Sequence, residues 1–292
     1  MTSIYMMSSR QARDISACSY INAFDNHIGS IKLLKEFSMC ESLPIRSILF
    51  TSAMHIDRFQ RAVGSGTDVC LIDLEDSVSE LDKIEARNRL YDFLDDDTHP
   101  GHPFAIRING IDTNFGFDDL LAVKYCRHSP QYVVVPQSES ASQLRFIQHA
   151  LGPAAKSIRL IALIETPLGV QRAAEIALGL PRISALMFGS AKYTCRIGAE
   201  ICWDALLLPR SILSSTAGQA GIGAIDAPFF DIQNLDGLYR DCMRVKQLGF
   251  TGRCAVHPSQ IATVHDAFSR STKGTQQACQ VLATIEISGG DE

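Results

Sequence analysis

A (β/α)₈ TIM barrel is the fold class the sequence predicts, and three observations carry it. Short, nearly continuous apolar runs alternate eight times with stretches of helical periodicity, and such runs are expected of parallel strands covered on both faces. The alternation fills about 230 residues, near the roughly 250 that such barrels use. Polar groups also gather just after run after run: Asp73, Glu75 and Asp76; Arg107 and Asn109; Gln137 and Glu139; Glu165; Lys192; Asp226; and His257. A closed barrel brings these strand ends to one rim, where barrel active sites are built. The alternative, a doubly wound open sheet, would spread them along an edge.

The elements follow in order. Strands are expected at Ser47 to Thr51, Val69 to Leu74, Phe104 to Ile108, Tyr132 to Val135, Ile158 to Ile164, Ile183 to Phe188, Gly223 to Ala227 and Arg253 to Val256. Helices are expected at Asp57 to Val63, Lys83 to Leu94, Phe117 to Tyr125 and Ala141 to Ala150, then Leu206 to Gly218, Leu238 to Gln247 and Ile261 to Phe268. Between the fifth and sixth strands Val170, Ala173, Ala174, Ile176 and Ala177 recur at helical spacing, which predicts another helix. The barrel should therefore occupy 43–270. Residues 1–42 lack a strand pattern and read as an extension, with a possible amphipathic helix around Ile31 to Met39. Residues 271–292 read as a short helix and tail, with a helical pattern from Gln276 to Ile285.

Composition narrows the function classes. The chain has 292 residues, 46% of them hydrophobic, enough for a large core without staples. No apolar run reaches the roughly 18 residues of a membrane span, and Met1 to Arg13 lack the apolar core of a signal peptide. The expectation is a cytoplasmic protein with no membrane partner. A net charge of −5 without Lys/Arg blocks argues against nucleic acid. The nine cysteines show no CxxC spacing, which fits reduced, packed thiols better than disulfides or zinc.

The chemistry is expected between Ile158 and Lys192. Glu165 ends an apolar run, so its carboxylate needs a cation partner: a divalent metal, Arg107 or Lys192. Strand-end carboxylates are the hard oxygen ligands that Mg²⁺ takes. Arg107 suits bidentate capture of a substrate carboxylate, or else pairs with Glu75 or Asp76 to tie adjacent strands. One member of Asp73-Leu74-Glu75-Asp76 is placed to relay a proton while another caps the following loop. His257 is a general acid or base, or a histidine bonded for structural reasons.

Several of these segments carry a resemblance. Arg46-Ser47-Ile48-Leu49-Phe50, Leu71-Ile72-Asp73-Leu74-Glu75-Asp76-Ser77-Val78, Ile106-Arg107-Ile108-Asn109 and Val135-Pro136-Gln137-Ser138-Glu139-Ser140 resemble successive motifs of the citrate lyase β-subunit-like family. So do Ala162-Leu163-Ile164-Glu165-Thr166-Pro167-Leu168-Gly169, Met187-Phe188-Gly189 and Ala255-Val256-His257-Pro258-Ser259-Gln260-Ile261. The family belongs to a wider class of magnesium-dependent aldolases and lyases that includes malyl-CoA lyase. The resemblance implies a barrel, usually a homo-oligomer, that makes or breaks carbon–carbon bonds in oxo-acids or acyl-CoA thioesters. It implies that Arg107 holds the substrate carboxylate or carbonyl, that Glu165 ligates the metal, and that Glu75 and Asp76 lie near the metal and its waters. Gly189, Ser190 and Pro228 are expected beside the substrate.

The departures are as informative. Where relatives carry a second metal-ligating aspartate in a Gly-x-x-Asp pattern, this chain has Gly189-Ser190-Ala191-Lys192. An ammonium cannot ligate Mg²⁺ and repels it, yet near Glu165 it can take the ion's place and supply its charge. Lys192 is thus expected to serve as a built-in electrophile, to form a Schiff base, or to mark a barrel turned to ligand binding or assembly. An ordinary magnesium enzyme with a second ligand from Asp76 or Glu139 is a further alternative. The Pro-Gly-Asp-rich segment of relatives reads Thr51-Ser52-Ala53-Met54-His55, and a lysine after the fourth-strand proline is Gln137. Members of the family often continue into a C-terminal lid, which is expected to be missing from a sequence that ends at Glu292; that expectation favours a small acid or aldehyde over a CoA thioester. The expected activity is a carbon–carbon lyase or aldolase on a small carboxylate-bearing carbonyl or hydroxy-acid compound.

Overall fold

The structure, a computed structural model, describes residues 45–96, 101–180 and 182–269. The expected extension at 1–42 and the tail at 271–292, with their helical patterns, lie outside the described residues.

Eight parallel strands close into a barrel in chain order. They are β1 (Ser47–Ser52), β2 (Val69–Asp73), β3 (Phe104–Arg107), β4 (Tyr132–Val135), β5 (Arg159–Ile164), β6 (Ile183–Phe188), β7 (Gly223–Asp226) and β8 (Gly252–Ala255). The outer helices are α1 (Phe59–Gly64), α2 (Lys83–Asp95), α3 (Gly116–Tyr125), α4 (Ala141–Leu151), α5 (Pro167–Gln171), α6 (Ala173–Leu178), α7 (Ser190–Ile197), α8 (Trp203–Ala220), α9 (Leu235–Gln247) and α10 (Ile261–Ser269). The first expected helix is divided, because a 3₁₀ segment, Ala53–Arg58, precedes α1. Side-chain caps start several helices: Thr166 Oγ1 accepts from Gly169 N at 3.0 Å, and Ser140 Oγ accepts from Gln143 N at 3.2 Å. Among the described residues no helix is long and apolar enough to cross a membrane.

Alternation along each strand makes two cores. Ile48, Val69, Leu71, Ala105, Val134, Ile161, Leu163, Ala185, Met187, Ile225 and Cys254 pack inside the barrel. Their neighbours, such as Cys70, Ile72, Ile106, Ile164, Leu186 and Phe188, pack against the helices. Successive side chains point to opposite faces, so both faces are apolar and the runs read as continuous.

The same parity corrects one expectation. Asp226 follows inward-facing Ile225 and so faces the helix layer instead of the rim. It is fully buried, its two oxygens accept from Arg210 Nε and Nη2 at 3.0 Å each, and it lies 2.9 Å from Arg253 Nη2. Asn109 also leaves the rim although it shares the parity of Ala105 and Arg107: it lies beyond the end of β3, and its side-chain amide donates to Asp119 at 2.7 Å. Arg210 and Arg253 neutralise Asp226, and Arg87, 2.8 Å from Asp119, neutralises that acid, charges that the apolar layer would otherwise reject.

Candidate active site at the C-terminal rim

One step beyond the inward rows lie Asp73 on β2, Arg107 on β3, Glu165 after β5 and Gly189 after β6. The strands thus end their apolar interior in two acids and a guanidinium. Arg107 Nε donates to Asp73 Oδ1 at 2.6 Å and Nη2 to Asp73 Oδ2 at 2.7 Å, a closed two-point pair. Its Nη1 faces Asp76 and Glu75, at 3.1 Å from each, and the guanidinium stacks 5.0 Å from the Phe50 ring centre. Asp73 also accepts from the Glu75 and Ser77 backbone N–H groups, and Lys83 Nζ donates to the Leu74 and Glu75 carbonyls. The acidic loop after β2 is therefore fixed from below.

Lys192 enters from the first turn of α7, a helix that was not anticipated because Ser190 to Lys192 reads as a strand-end loop. Its Nζ lies 2.7 Å from Glu75 Oε1, 2.9 Å from Asp76 Oδ1 and 3.3 Å from Glu165 Oε1. Glu165 Oε1 accepts a second bond, at 3.0 Å, from the Gln137 backbone N–H. Gly189 makes this approach possible: a Cβ there would stand 2.5 Å from Glu165 Cβ and 2.8 Å from its Oε2.

Four carboxylates thus share two cations, with Asp73, Glu75 and Glu165 buried and Asp76 half-exposed. Burial pushes Glu165 up, partly offset by Lys192 and Arg107. Burial pushes Glu75 up to about 7, with Glu165 and Asp76 adding to the rise and Arg107 and Lys192 opposing it. Burial alone would raise Asp73, but Arg107 and its hydrogen bonds hold that carboxyl below its usual range. Burial lowers Lys192, yet Glu165 and Glu75 more than compensate, so its ammonium is held more firmly than that of a free lysine.

A pH signature follows. A carboxyl with a raised native pKa gives stability that is present below its unfolded value of 4.5 and lost as pH rises through about 7. Glu75→Gln mimics the protonated form, so its melting temperature relative to wild type should climb between pH 5 and 8. The ceiling is roughly 3.5 kcal/mol, at about 1.4 kcal/mol per pKa unit. A difference that stays flat across that range in thermal melts counts against Glu75 as the group that protonates.

Arg107, Asp76, Glu165 and Lys192 line one cavity of about 620 Å³, together with Gly189, Ser190, Pro228 and His257. Glu75 reaches the same cluster through Arg107 and Lys192. His257 caps the following 3₁₀ turn through Ser259. Glu139 does not join the cavity wall. Two lining residues escaped the sequence reading, Arg58 and Arg61; both are exposed and have no ion-pair partner among the described residues. The signal was available, since the two are spaced as neighbours on one helical face just after a strand end.

The donor set does not fit Mg²⁺. A resident ion needs open carboxylate oxygens, whereas Glu165 Oε1, Glu75 Oε1 and Asp76 Oδ1 all converge on an ammonium. Among the described residues, no group of three or more His, Cys, Asp or Glu side chains is arranged to hold a metal.

Known proteins place this site in context. The chain is 30% identical over 252 residues to the citrate lyase subunit beta of Escherichia coli strain K12, covering 83% of each. RipC from Yersinia pestis superposes with a TM-score of 0.68 at 38% identity, over 79% of this chain and 97% of that one. CitE from Mycobacterium tuberculosis, solved with magnesium, acetoacetate and coenzyme A, superposes at 0.68 and 31% identity, over 82% and 87%. The HpcH/HpaI aldolase/citrate lyase family profile matches residues 46–258. With its closed barrel and its acid-and-arginine rim, the chain belongs to that family of aldolases and citrate lyases.

Proposed function

We propose that this chain is a carbon–carbon lyase or aldolase for a small carboxylate-bearing carbonyl or hydroxy acid, in which the Lys192 ammonium does the electrostatic work of a divalent ion. One observation carries the reading: Lys192 Nζ sits within 3.3 Å of three carboxylates, Glu75, Asp76 and Glu165. In the cleavage direction a base takes the substrate hydroxyl proton and the adjacent carbon–carbon bond breaks. Its electron pair moves onto the carbonyl as an enolate, whose carbon is then protonated. The charge developing on that oxygen is met by Lys192 and by Nη1 of Arg107. Asp76, half-exposed and shared by both cations, is the acid that a substrate oxygen displaces. Glu75, whose buried Oε2 lies 3.1 Å from Arg107 Nη1 but accepts no hydrogen bond among the described residues, moves the proton.

The imine alternative asks for a free amine, and the three acids hold the opposite form. Arg58 and Arg61, facing the same cavity, favour a substrate with a second anionic end. The phosphates of a coenzyme A thioester, the carrier present in the mycobacterial complex, have that chemistry. A silent barrel is the second reading, favoured by the fact that both inner cations are already paired.

The test is turnover of a panel of hydroxy acids and their CoA thioesters, with Mg²⁺ or with chelator, by wild type and Lys192→Met. Expected is chelator-resistant cleavage that falls by about 10²–10³ in the variant. Turnover that requires Mg²⁺ would sink the ammonium mechanism, borohydride trapping on Lys192 would replace it with the imine, and an inert panel would favour the silent barrel.

A further inference from the structure

Gln137 follows β4 and has a φ of +44°, the one non-glycine residue with positive φ among those described. A side chain in that region costs about 1–2 kcal/mol and persists only where its surroundings over-determine it. Three bonds do so here. The backbone N–H donates to Glu165 Oε1 at 3.0 Å, the carbonyl accepts from Gln143 Nε2 at 3.4 Å, and the side-chain Oε1 accepts from Arg196 Nη2 at 2.7 Å. Arg196 lies on α7 four residues after Lys192, so the two share one helical face a turn apart. Gln137 therefore grips both halves of the cage, the acid after β5 and the helix that carries the ammonium.

We infer that Gln137 and Arg196 form a latch that docks α7 on the rim and holds the Lys192 ammonium against Glu165. Both are positioning residues: neither needs to touch substrate, and they act through Lys192. The latch sits at the exposed edge of the site, with Arg196 in solvent, so its loss leaves the barrel core intact. What it changes is how long the second turn of α7 stays docked. Without the latch α7 keeps the Tyr193 ring against Phe188 and the buried Thr194, but loses the tie one turn beyond Lys192. Lys192 then trades its three acids for water more often.

The inference rests on Lys192 being the working cation of the site, so its test reads the amine itself instead of turnover. Wild type, Arg196→Ala, Gln137→Gly and the double variant are labelled with acetic anhydride, and modification of Lys192 is followed by mass spectrometry against exposed Lys156. Glycine keeps the positive φ and the N–H to Glu165 and removes only the side-chain acceptor, so the latch alone is cut. Each single variant is expected to raise the Lys192 rate about fivefold, as loss of one charge-assisted bond allows. The double variant should rise no further, because both changes cut the same contact. Gln137→Glu, which keeps the acceptor, should retain the protection. Unchanged Lys192 rates, rates that multiply in the double variant, or an equal rise at Lys156 would each overturn the latch.

Discussion

Lys192→Asp is expected to turn a protein indifferent to Mg²⁺ into one whose stability depends on it. The substitution introduces the aspartate that the resemblance to citrate lyase β-subunits implies at this position and leaves five carboxylates around one guanidinium. Without a divalent ion the variant should lose about 2 kcal/mol, less than the 3–5 kcal/mol typical of a broken buried pair. The discount reflects the partial exposure of Lys192, 27%, and the ability of Glu75, raised to about 7, to take up a proton. At about 2–4 °C per kcal/mol, the melting temperature should fall by about 6 °C. Mg²⁺ at a hundred times its Kd returns about 2.7 kcal/mol, enough to erase that loss. In wild type the same addition should do nothing, since an incoming ion must first evict an ammonium held by three acids. Thermal melts of both proteins with and without Mg²⁺ decide the matter. A wild-type melt that rises with Mg²⁺ as much as the variant's would end the account of Lys192 as the ion's replacement.

How far the sequence carries depends on the kind of feature. The barrel was legible because two-sided burial writes a continuous apolar run for every strand, and those runs fell on β1 to β8 within a residue or two. Glu165 and Lys192 were legible as a pair for a different reason: each is a charge at the end of a run that cannot bury it alone. Asp226 misled, since a charge after a strand was assumed to face the rim, whereas a one-residue change of parity sends it to Arg210 and Arg253 behind the sheet. Arg107 shows the remaining gap. Its type and place suited capture of a carboxylate, but the acid that fills its fork, Asp73, stands on the neighbouring strand 34 residues away. Only the β2–β3 register, in which Asp73 is paired with Arg107, brings them together. The helix carrying Lys192 escaped because Gly189 to Lys192 is too short and too mixed to show periodicity. The latch at Gln137 escaped because a positive φ at glutamine has no sequence signal.

The Arg107–Asp73 pair also sets the largest stability effect expected at this site. Arg107→Met keeps the stem against Phe50 but leaves Asp73, 1% exposed, with only the Glu75 and Ser77 N–H groups as donors. Removing one partner of a buried pair costs about 3–5 kcal/mol. Arg107→Lys should cost less, because it keeps the charge while losing the second point of the fork. The pH dependence gives the cause. In wild type the depressed pKa of Asp73 supplies stability that is present above its unfolded value of 3.8 and lost as pH falls through the lower native value. Without the guanidinium, burial becomes the dominant influence on Asp73, its pKa moves up, and acid now relieves the variant by protonating it. The gap between wild type and Arg107→Met should therefore narrow as pH falls from 7 toward 4. Adding Asp73→Asn removes the stranded charge, so the double variant should be more stable at pH 7 than Arg107→Met alone. Chemical denaturation of the four proteins measures this. A double variant no more stable than Arg107→Met would mean that the cost lies in lost packing around Phe50 and not in the unpaired carboxylate.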